Sequence, residues 1–544
     1  RSNILYVDVS ASGSGDGSSW AHAFTDLDAA LRSEHPFSEV WVAKGTYKPG
    51  VVRSSTFLLP PGIPVYGGFV GTELSRAERN ATENITILSG DLGIASNLSD
   101  NSYHLIVPSE GSLLDGFTIR DGNASENYGD DRGRGGALWA EKVTFGLSNC
   151  IFTSNFANER GGAIFLNDAN ATFTSCTFFG NTNGSTGSGG ALDANNSILN
   201  LVSCSFSNNV SQFEGGAINS QNSTLIFFNS SITSNQNASA NGGGALNVSG
   251  GTLSDVNGTY SNNSCAPGSG GGAIQWAGNS ANFSGTSFQS NQASTYNGGA
   301  ILASSGELIF SNCSFGSNLA GGAGGAVMGT GVSLSISDSN FSSNQSSLNG
   351  GGVAAENSTV VMARTVFSSN QSTSNNGGGA CHTKGGSWTD SNSTYIFNKA
   401  TSSGGAFLWE NSIGSITDAN FTDNENTVWN GGGGIYLNNA SPAISRCFFV
   451  GNVTKANNFG GGIRLSNASP TISNCLFSRN SAAINSGGAI SIDQSSIPIL
   501  AGNEFRYNSA GIYGGALYFS NSQNIQASNN LFLGNYADSG GAIS

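Results

Sequence analysis

Charge is what this chain has least of. Only 10% of its 544 residues are Asp, Glu, Lys or Arg, against about a quarter in ordinary globular chains. The 20 basic residues are outnumbered by 34 acidic ones, giving a net charge of −14. No Lys or Arg occurs between Arg160 and Arg364. A nucleic-acid binder needs a positive stripe to displace counterions from phosphates, and none can be assembled here. An anionic membrane surface is disfavoured on the same ground. No apolar run approaches the roughly 20 residues that cross a bilayer as a helix, so direct membrane insertion is not expected. A 3.6-residue hydrophobic period is also missing, which argues against a helical protein.

What fills the space is glycine, 78 residues of it, without the three-residue period of collagen. From residue 135 onward a Gly-Gly-(Ala/Gly)-apolar tetrad recurs sixteen times, at spacings of 26 to 28 residues. Between tetrads lies a second motif, Phe-x-x-Asn, whose first nine asparagines are Asn155, Asn181, Asn209, Asn235, Asn263, Asn291, Asn318, Asn344 and Asn370. The aromatic position holds Phe in every repeat except three, where Ile232, Tyr260 and Tyr395 stand. It falls 16 residues after the second glycine in thirteen repeats and 17 in the last two, so length variation is confined to the segment from Phe to the next tetrad. Two positions after the second glycine the residue is always apolar, as in Leu138, Ile164, Leu192, Ile218 and Val327. The next residue is frequently polar, as in Asp193, Asn219 and Asn247, and the one after is often apolar again. That alternation is strand periodicity with one buried face.

Propeller blades need about 40 residues each and leucine-rich repeats need leucine at several fixed positions, so neither fits. The expected fold is all-β: a right-handed, single-stranded parallel β-helix of about 27 residues per coil, with two or three short strands in each. Within it the aromatic residues form an internal stack and the asparagines a hydrogen-bonded ladder along the axis. The glycines fall where the backbone takes angles closed to other residues or where the next coil crowds in. Residues 126–544 are the regular helix. Residues 1–125 lack the tetrad and read as an N-terminal cap with irregular coils. Its expected strands are Ile4–Val9, Val40–Ala43, Phe57–Leu59, Val65–Val70, Ile85–Leu88, His104–Val107 and Leu114–Ile119, with a short helix over Phe24–Leu31.

Six of the eight cysteines, Cys150, Cys176, Cys204, Cys313, Cys447 and Cys475, lie two residues before the aromatic position and should point inward as small hydrophobes, with bridges between adjacent coils geometrically open. N-x-S/T sequons are many, among them Asn80, Asn84, Asn123, Asn209, Asn312, Asn370 and Asn452, and these are candidate N-glycosylation sites if the chain is secreted by a eukaryote. The sequence opens at Arg1 without Met, which suggests a leader removed or left out. It stops at Ser544 just after a tetrad begins, leaving a strand edge that calls for continuation or a covering partner.

The search for chemistry returns little. Asp193 and Glu214 fall on adjacent coils but at different positions within them. Glu126, Asp130 and Asp131 cluster beside Gly129, Arg132 and Gly133 and read as a solvated turn rather than a calcium site. His104 lies in a cap strand, and His382, Lys384 and Cys381 form a sparse group without an obvious third partner. Catalytic, cofactor and metal sites are therefore not expected. Thr is too scattered for an ice-binding face.

The alternation of Gly161-Gly162-Ala163-Ile164 with Phe178 to Asn181, and of Gly487-Gly488-Ala489-Ile490 with Phe505 to Asn508, resembles the passenger region of chlamydial polymorphic outer-membrane proteins. The opening segments Tyr6-Val7-Asp8 to Trp20, Val42 to Pro49 and Tyr66 to Phe69 are similar to secreted bacterial parallel β-helix proteins, as is Leu114 to Ile119. The chlamydial resemblance implies adhesion at a cell surface, with a C-terminal membrane β-barrel following the passenger, while the sequons leave a eukaryotic secreted protein open. The expected function is a non-catalytic extracellular structural or adhesive rod. Its expected partners are other copies, joined end to end, other extracellular proteins, or cell-surface glycans. The competing expectation is a carbohydrate-active β-helix, a polysaccharide lyase or glycoside hydrolase, or a glycan-binding module.

Overall fold

The computed structural model describes residues 4–34, 36–126, 131–239, 242–266, 268, 270–374, 377–429, 431–456, 459–493, 495–522 and 525–544. The chain divides into two compact units, Arg1–Ala266 and Pro267–Ser544. Both are built from right-handed parallel β-helical coils.

In the first unit a regular coil carries four short strands, Leu138–Glu141, Thr144–Ser148, Ile151–Thr153 and Phe156–Ala157. Each pairs in parallel and in register with its counterpart one coil later: Leu138 with Ile164, Thr144 with Asn170, Ile151 with Thr177 and Phe156 with Thr182. Four strands, rather than the two or three expected, arise because single residues in the left-handed conformation turn the chain sharply. Lys142, Asn149 and Ser154 do this at φ 52°, 49° and 56°. The same corners recur at Asn222, Asn229 and Ser234. Asn, Asp and Ser suit these corners because their short polar side chains tolerate the left-handed region.

The two glycines of the tetrad are needed for different reasons. The first takes a positive φ in most coils, 61° at Gly161 and 68° at Gly189, though not at Gly271, Gly378, Gly404 or Gly432. The second does not, but a Cβ on Gly162 would collide with the carbonyl oxygen of Gly190 on the next coil. One glycine serves a turn and the other serves coil-to-coil approach.

Inside the first unit Phe152, Phe178 and Phe206 stack with centroids 4.9 and 4.4 Å apart and planes within 7°. Beside them Asn155, Asn181, Asn209, Asn235 and Asn263 form a column. Asn181 Nδ2 donates to Asn209 Oδ1 (3.0 Å) and to Phe152 O (2.9 Å), and the Asn181 backbone N–H also donates to Asn209 Oδ1 (3.0 Å). Both amide hydrogens and the carbonyl oxygen are thus used, so full burial leaves nothing unsatisfied.

The cap helix is shorter than expected, Leu27–Leu31, with Asp26 capping its first turn. Phe24 instead bridges Val7. The Leu114–Ile119 segment is two strands, Ser112–Asp115 and Thr118–Arg120, split at Gly116 with φ 85°. His104 lies just ahead of the strand Ile106–Val107, with Nδ1 3.0 Å from Gly135 O. A strand at Gly45–Tyr47 was not foreseen.

The second unit repeats the plan. Val327–Thr330, Ser333–Ser337, Asn340–Ser342 and Gln345–Ser346 make one coil. Phe315, Phe341 and Phe367 stack at 4.4 and 4.8 Å. Asn318 donates to Asn344 Oδ1 at 2.9 Å and Asn344 to Asn370 Oδ1 at 3.0 Å, and an unbroken series of such bonds reaches Asn535. All eight cysteines of the chain are buried and unbridged.

Candidate functional site

Two positions in the repeat face outward yet are partly covered, and the chemistry-bearing side chains gather there. One is the residue after the apolar position of the tetrad, in the middle of the first strand. The other is the residue just before the first glycine, where the variable segment rejoins the strand. Expected to be solvent-facing, the strand residues Asp193 and Asn219 are both 0% exposed. The variable segment lies over them.

In the first unit the pre-glycine residues Arg134, Arg160, Ser188 and Glu214 bridge one another in parallel order along successive coils. Arg160 Nη2 lies 3.0 Å from Asp193 Oδ1 and its Nε donates to Asp193 Oδ2 at 3.2 Å, while Asn219 Nδ2 donates to Asp193 Oδ2 at 2.8 Å. Arg134 pairs with Glu159 at 3.2 Å. Both guanidinium groups approach the Phe165 ring, at 5.4 and 5.3 Å from its centroid. Burial pushes the Asp193 carboxyl up against the opposing pull of Arg160. Burial, and then the negative charge of Asp193, does the same to Glu214. The two carboxylates therefore do sense each other, although they occupy different positions in their coils. The pre-glycine position of one coil overlies the outward strand position of its neighbour.

In the second unit the outward strand row runs Leu302, Met328, Ala354, His382, Leu408, Tyr436, Arg464, Ser491, Tyr518 by parallel register. Leu302, Met328 and Ala354 form a buried apolar cluster with the pre-glycine Ala323. His382 has the third partner that its sequence neighbours did not supply. Its Nε2 is 3.0 Å from Glu410 Oε2, and Asn438 Nδ2 donates to Glu410 Oε1 at 3.2 Å. The His382 contact holds the Glu410 carboxyl below its ordinary range. Cys381 is not part of this group, since the adjacent residue of a strand faces the opposite way and its thiol is buried on the inner side. Further along, Arg464 binds Asp493 through Nη2 (2.7 Å) and Nε (3.2 Å). A groove of about 470 Å3 opens beside this pair, lined by Phe459, Ser466, Asn467, Asp493, Ser495 and Ser520.

Glu126 is engaged by partners from the cap. It accepts from Tyr103 Oη at 2.9 Å and pairs with Arg53 at 3.5 Å, while Asp131 is exposed at the start of a short turn. Asp130 and Gly129 lie outside the described residues. Among the described residues no group of three or more His, Cys, Asp or Glu converges as metal ligands would, and no helix is long and apolar enough to cross a membrane.

The sequons divide sharply. Asn209, Asn370 and Asn452 are 0% exposed members of the asparagine column, with both amide hydrogens donated. Asn123 is buried, with Nδ2 donating to Leu98 O. A glycan on any of these four would have no room in the fold and would break these bonds. Asn312 is exposed, and Asn80 and Asn84 are half-exposed.

A pair of interior sites escaped the sequence reading. Where the aromatic column carries Tyr260 and Tyr395, the residue five earlier is Asp255 and Asp390, and in every other regular repeat that position is apolar. Tyr395 Oη donates to Asp390 Oδ2 at 2.8 Å, and Tyr260 and Asp255 interact at the equivalent two positions. Burial pushes Asp255 up to about 7 and Asp390 up to about 6. The covariation of the two positions within one chain was the available signal.

Among known families, the model described as "Right handed beta helix region" matches residues 385–544, and that of the "Chlamydia polymorphic membrane protein (Chlamydia_PMP) repeat" matches 149–167 and 203–221. No curated protein matches. Among solved structures, that of the PL6 family alginate lyase AlyGC aligns over 99% of this chain and 100% of its own, at 10% identity and a TM-score of 0.19, too low to carry an argument. The family match and the coil geometry agree on one conclusion: this is a right-handed parallel β-helix protein.

Proposed function

We propose that the chain is a non-catalytic structural or adhesive β-helix of the cell exterior, presenting its outer face to other copies, to other extracellular proteins or to surface glycans, and working without a cofactor. The observation that carries this reading is the state of its acid–base groups. Asp193 and His382 are each 0% exposed, and Arg160 and Arg464 are held in ion pairs with Asp193 and Asp493. A general acid or base must come within hydrogen-bond reach of its substrate, and a sealed side chain does not reach a polymer on the surface. The short chlamydial repeat matches at 149–167 and 203–221 support the surface location.

The competing reading, a polysaccharide lyase or glycoside hydrolase, has one observation in its favour: Glu214 is only half-buried and its carboxyl is raised by burial and by Asp193, as a general acid requires. Incubating the purified chain with a panel of neutral and uronic polysaccharides separates the two. No new reducing ends and no unsaturated uronates are expected. Cleavage abolished by Glu214→Gln would replace the structural reading with the enzymatic one.

A further inference from the structure

The groove beside Arg464 has one ring in its wall, Phe459, with further rings of the outer row close to it. Tyr436, Arg464, Ser491 and Tyr518 occupy equivalent outward positions on successive coils, which stack about 4.8 Å apart. Phe459 and Tyr513 come from the pre-glycine position. The Phe459 and Tyr518 rings lie 6.0 Å apart and within 13° of parallel, and Tyr513 and Tyr518 repeat the same geometry. Tyr513 is 43% exposed, and Tyr436, Phe459 and Tyr518 are half-exposed. In the first unit the same row carries half-exposed Trp139 and, on the next coil, buried Phe165, which two guanidinium groups approach.

Next to these rings the groove wall is densely polar: Ser466, Asn467, Asp493, Ser495 and Ser520. The Arg464–Asp493 pair fixes the carboxylate, and Ser491 Oγ donates to its Oδ1 only weakly, at 3.4 Å. The guanidinium is itself fixed against two rings, 5.5 Å from the Tyr436 centroid and 5.2 Å from that of Phe459. The volume, about 470 Å3, falls in the range usual for small-molecule sites, about 300–1,000 Å3.

We propose that this groove binds a neutral pyranose unit of a glycan, its apolar C–H face against the Phe459 ring, which Tyr518 backs, and its hydroxyls on Asp493, Asn467 and the serines. A ligand with one apolar face and a hydroxylated rim matches aromatic surface beside a polar wall. Neutrality follows from charge. Arg464 is already balanced by Asp493, so no surplus positive charge is left for a phosphate, sulfate or uronate, and the chain as a whole is at −14. The site deepens the adhesive half of the proposed function and rests on it only in that no bond of the glycan is broken.

Calorimetric titration of the whole chain with cellohexaose, maltohexaose and mannohexaose tests this, with oligogalacturonate and a proline-rich peptide as controls. At least one neutral hexaose should bind. Phe459→Ala should weaken it by about tenfold, the equivalent of about 1.4 kcal/mol. Asn467→Ala, and Tyr518→Ala behind the ring, should weaken it less. Binding of none of the three neutral oligomers, binding of the uronate or the peptide alone, or binding indifferent to both Phe459→Ala and Asn467→Ala overturns the site. Mass spectrometry of the recovered hexaose keeps the two claims apart: intact sugar with lost binding defeats only the groove, whereas shortened sugar defeats the non-catalytic reading and leaves the groove standing.

Discussion

The asparagine column and the outer strand row are drawn from the same coils, but they obey different rules. In the column each side chain meets its own kind above and below, as when Asn344 takes the Oδ1 of Asn370 and lends its own to Asn318. An amide is both donor and acceptor, so the identical residue is the best neighbour and the repeat holds the position constant. In the outer row Met328, Ala354, His382 and Leu408 follow one another and are all buried, yet none bonds its own kind, and His382 pairs with Glu410 instead. Uniformity marks where identical side chains bond coil to coil, and variety marks the row where they do not.

The comparison breaks most visibly at the glycines. A Cβ on Gly351 would fall onto the Gly379 carbonyl oxygen and the Gln371 backbone, so Gly351→Ala should cost about 3 kcal/mol or more, read as a loss of soluble chain or a large drop in melting temperature. Gly331, with no neighbour within 4 Å of such a Cβ, should tolerate alanine far better, although its φ of 66° carries some strain.

A second departure from uniformity is the pair of buried Asp–Tyr sites. Asp255 and Asp390 titrate at about 7 and about 6 in the fold, above the ordinary value near 3.9. Raised carboxyls favour the proton-bound fold. Their stabilisation is complete below that ordinary value and is lost as pH climbs through about 6 and about 7. Denaturation midpoints should therefore fall between pH 5 and pH 8, by on the order of 2–4 kcal/mol in total. The double substitution Asp390→Leu with Tyr395→Phe, which restores the apolar pair found in the other repeats, should make that slope shallower and leave the larger Asp255 share. An unchanged slope would mean that Asp390 contributes nothing to it.

Removing one rung of the column should cost somewhat less. Asn344→Ala strips two donated bonds and leaves the Asn318 amide without its acceptor, a loss of about 1–3 kcal/mol. Because coils interact mainly with their neighbours, amide exchange should accelerate around residues 318–370 before it does elsewhere. Uniform exchange would contradict a local ladder. The smallest effect sharpens the contrast between inside and outside. When the chain is secreted through a eukaryotic host, peptide mapping should find glycan on exposed Asn312 and none on Asn209, Asn370 or Asn452.

Coil length, the glycine pair, the aromatic stack and the asparagine ladder could all be read before any coordinates, and for one reason. A parallel coil superposes residues about 27 apart, so anything that must match its vertical neighbour recurs at that interval and shows as a period. The same logic concealed the outer face. The Asp193–Glu214 influence depends on where the variable segment rejoins the strand, and the His382–Glu410 and Arg464–Asp493 contacts join different positions of adjacent coils. The columns are written into the chain because like stacks on like at one interval. Which unlike side chains meet on the outer face was settled by folding, because those contacts join different positions of adjacent coils and so leave no period to read.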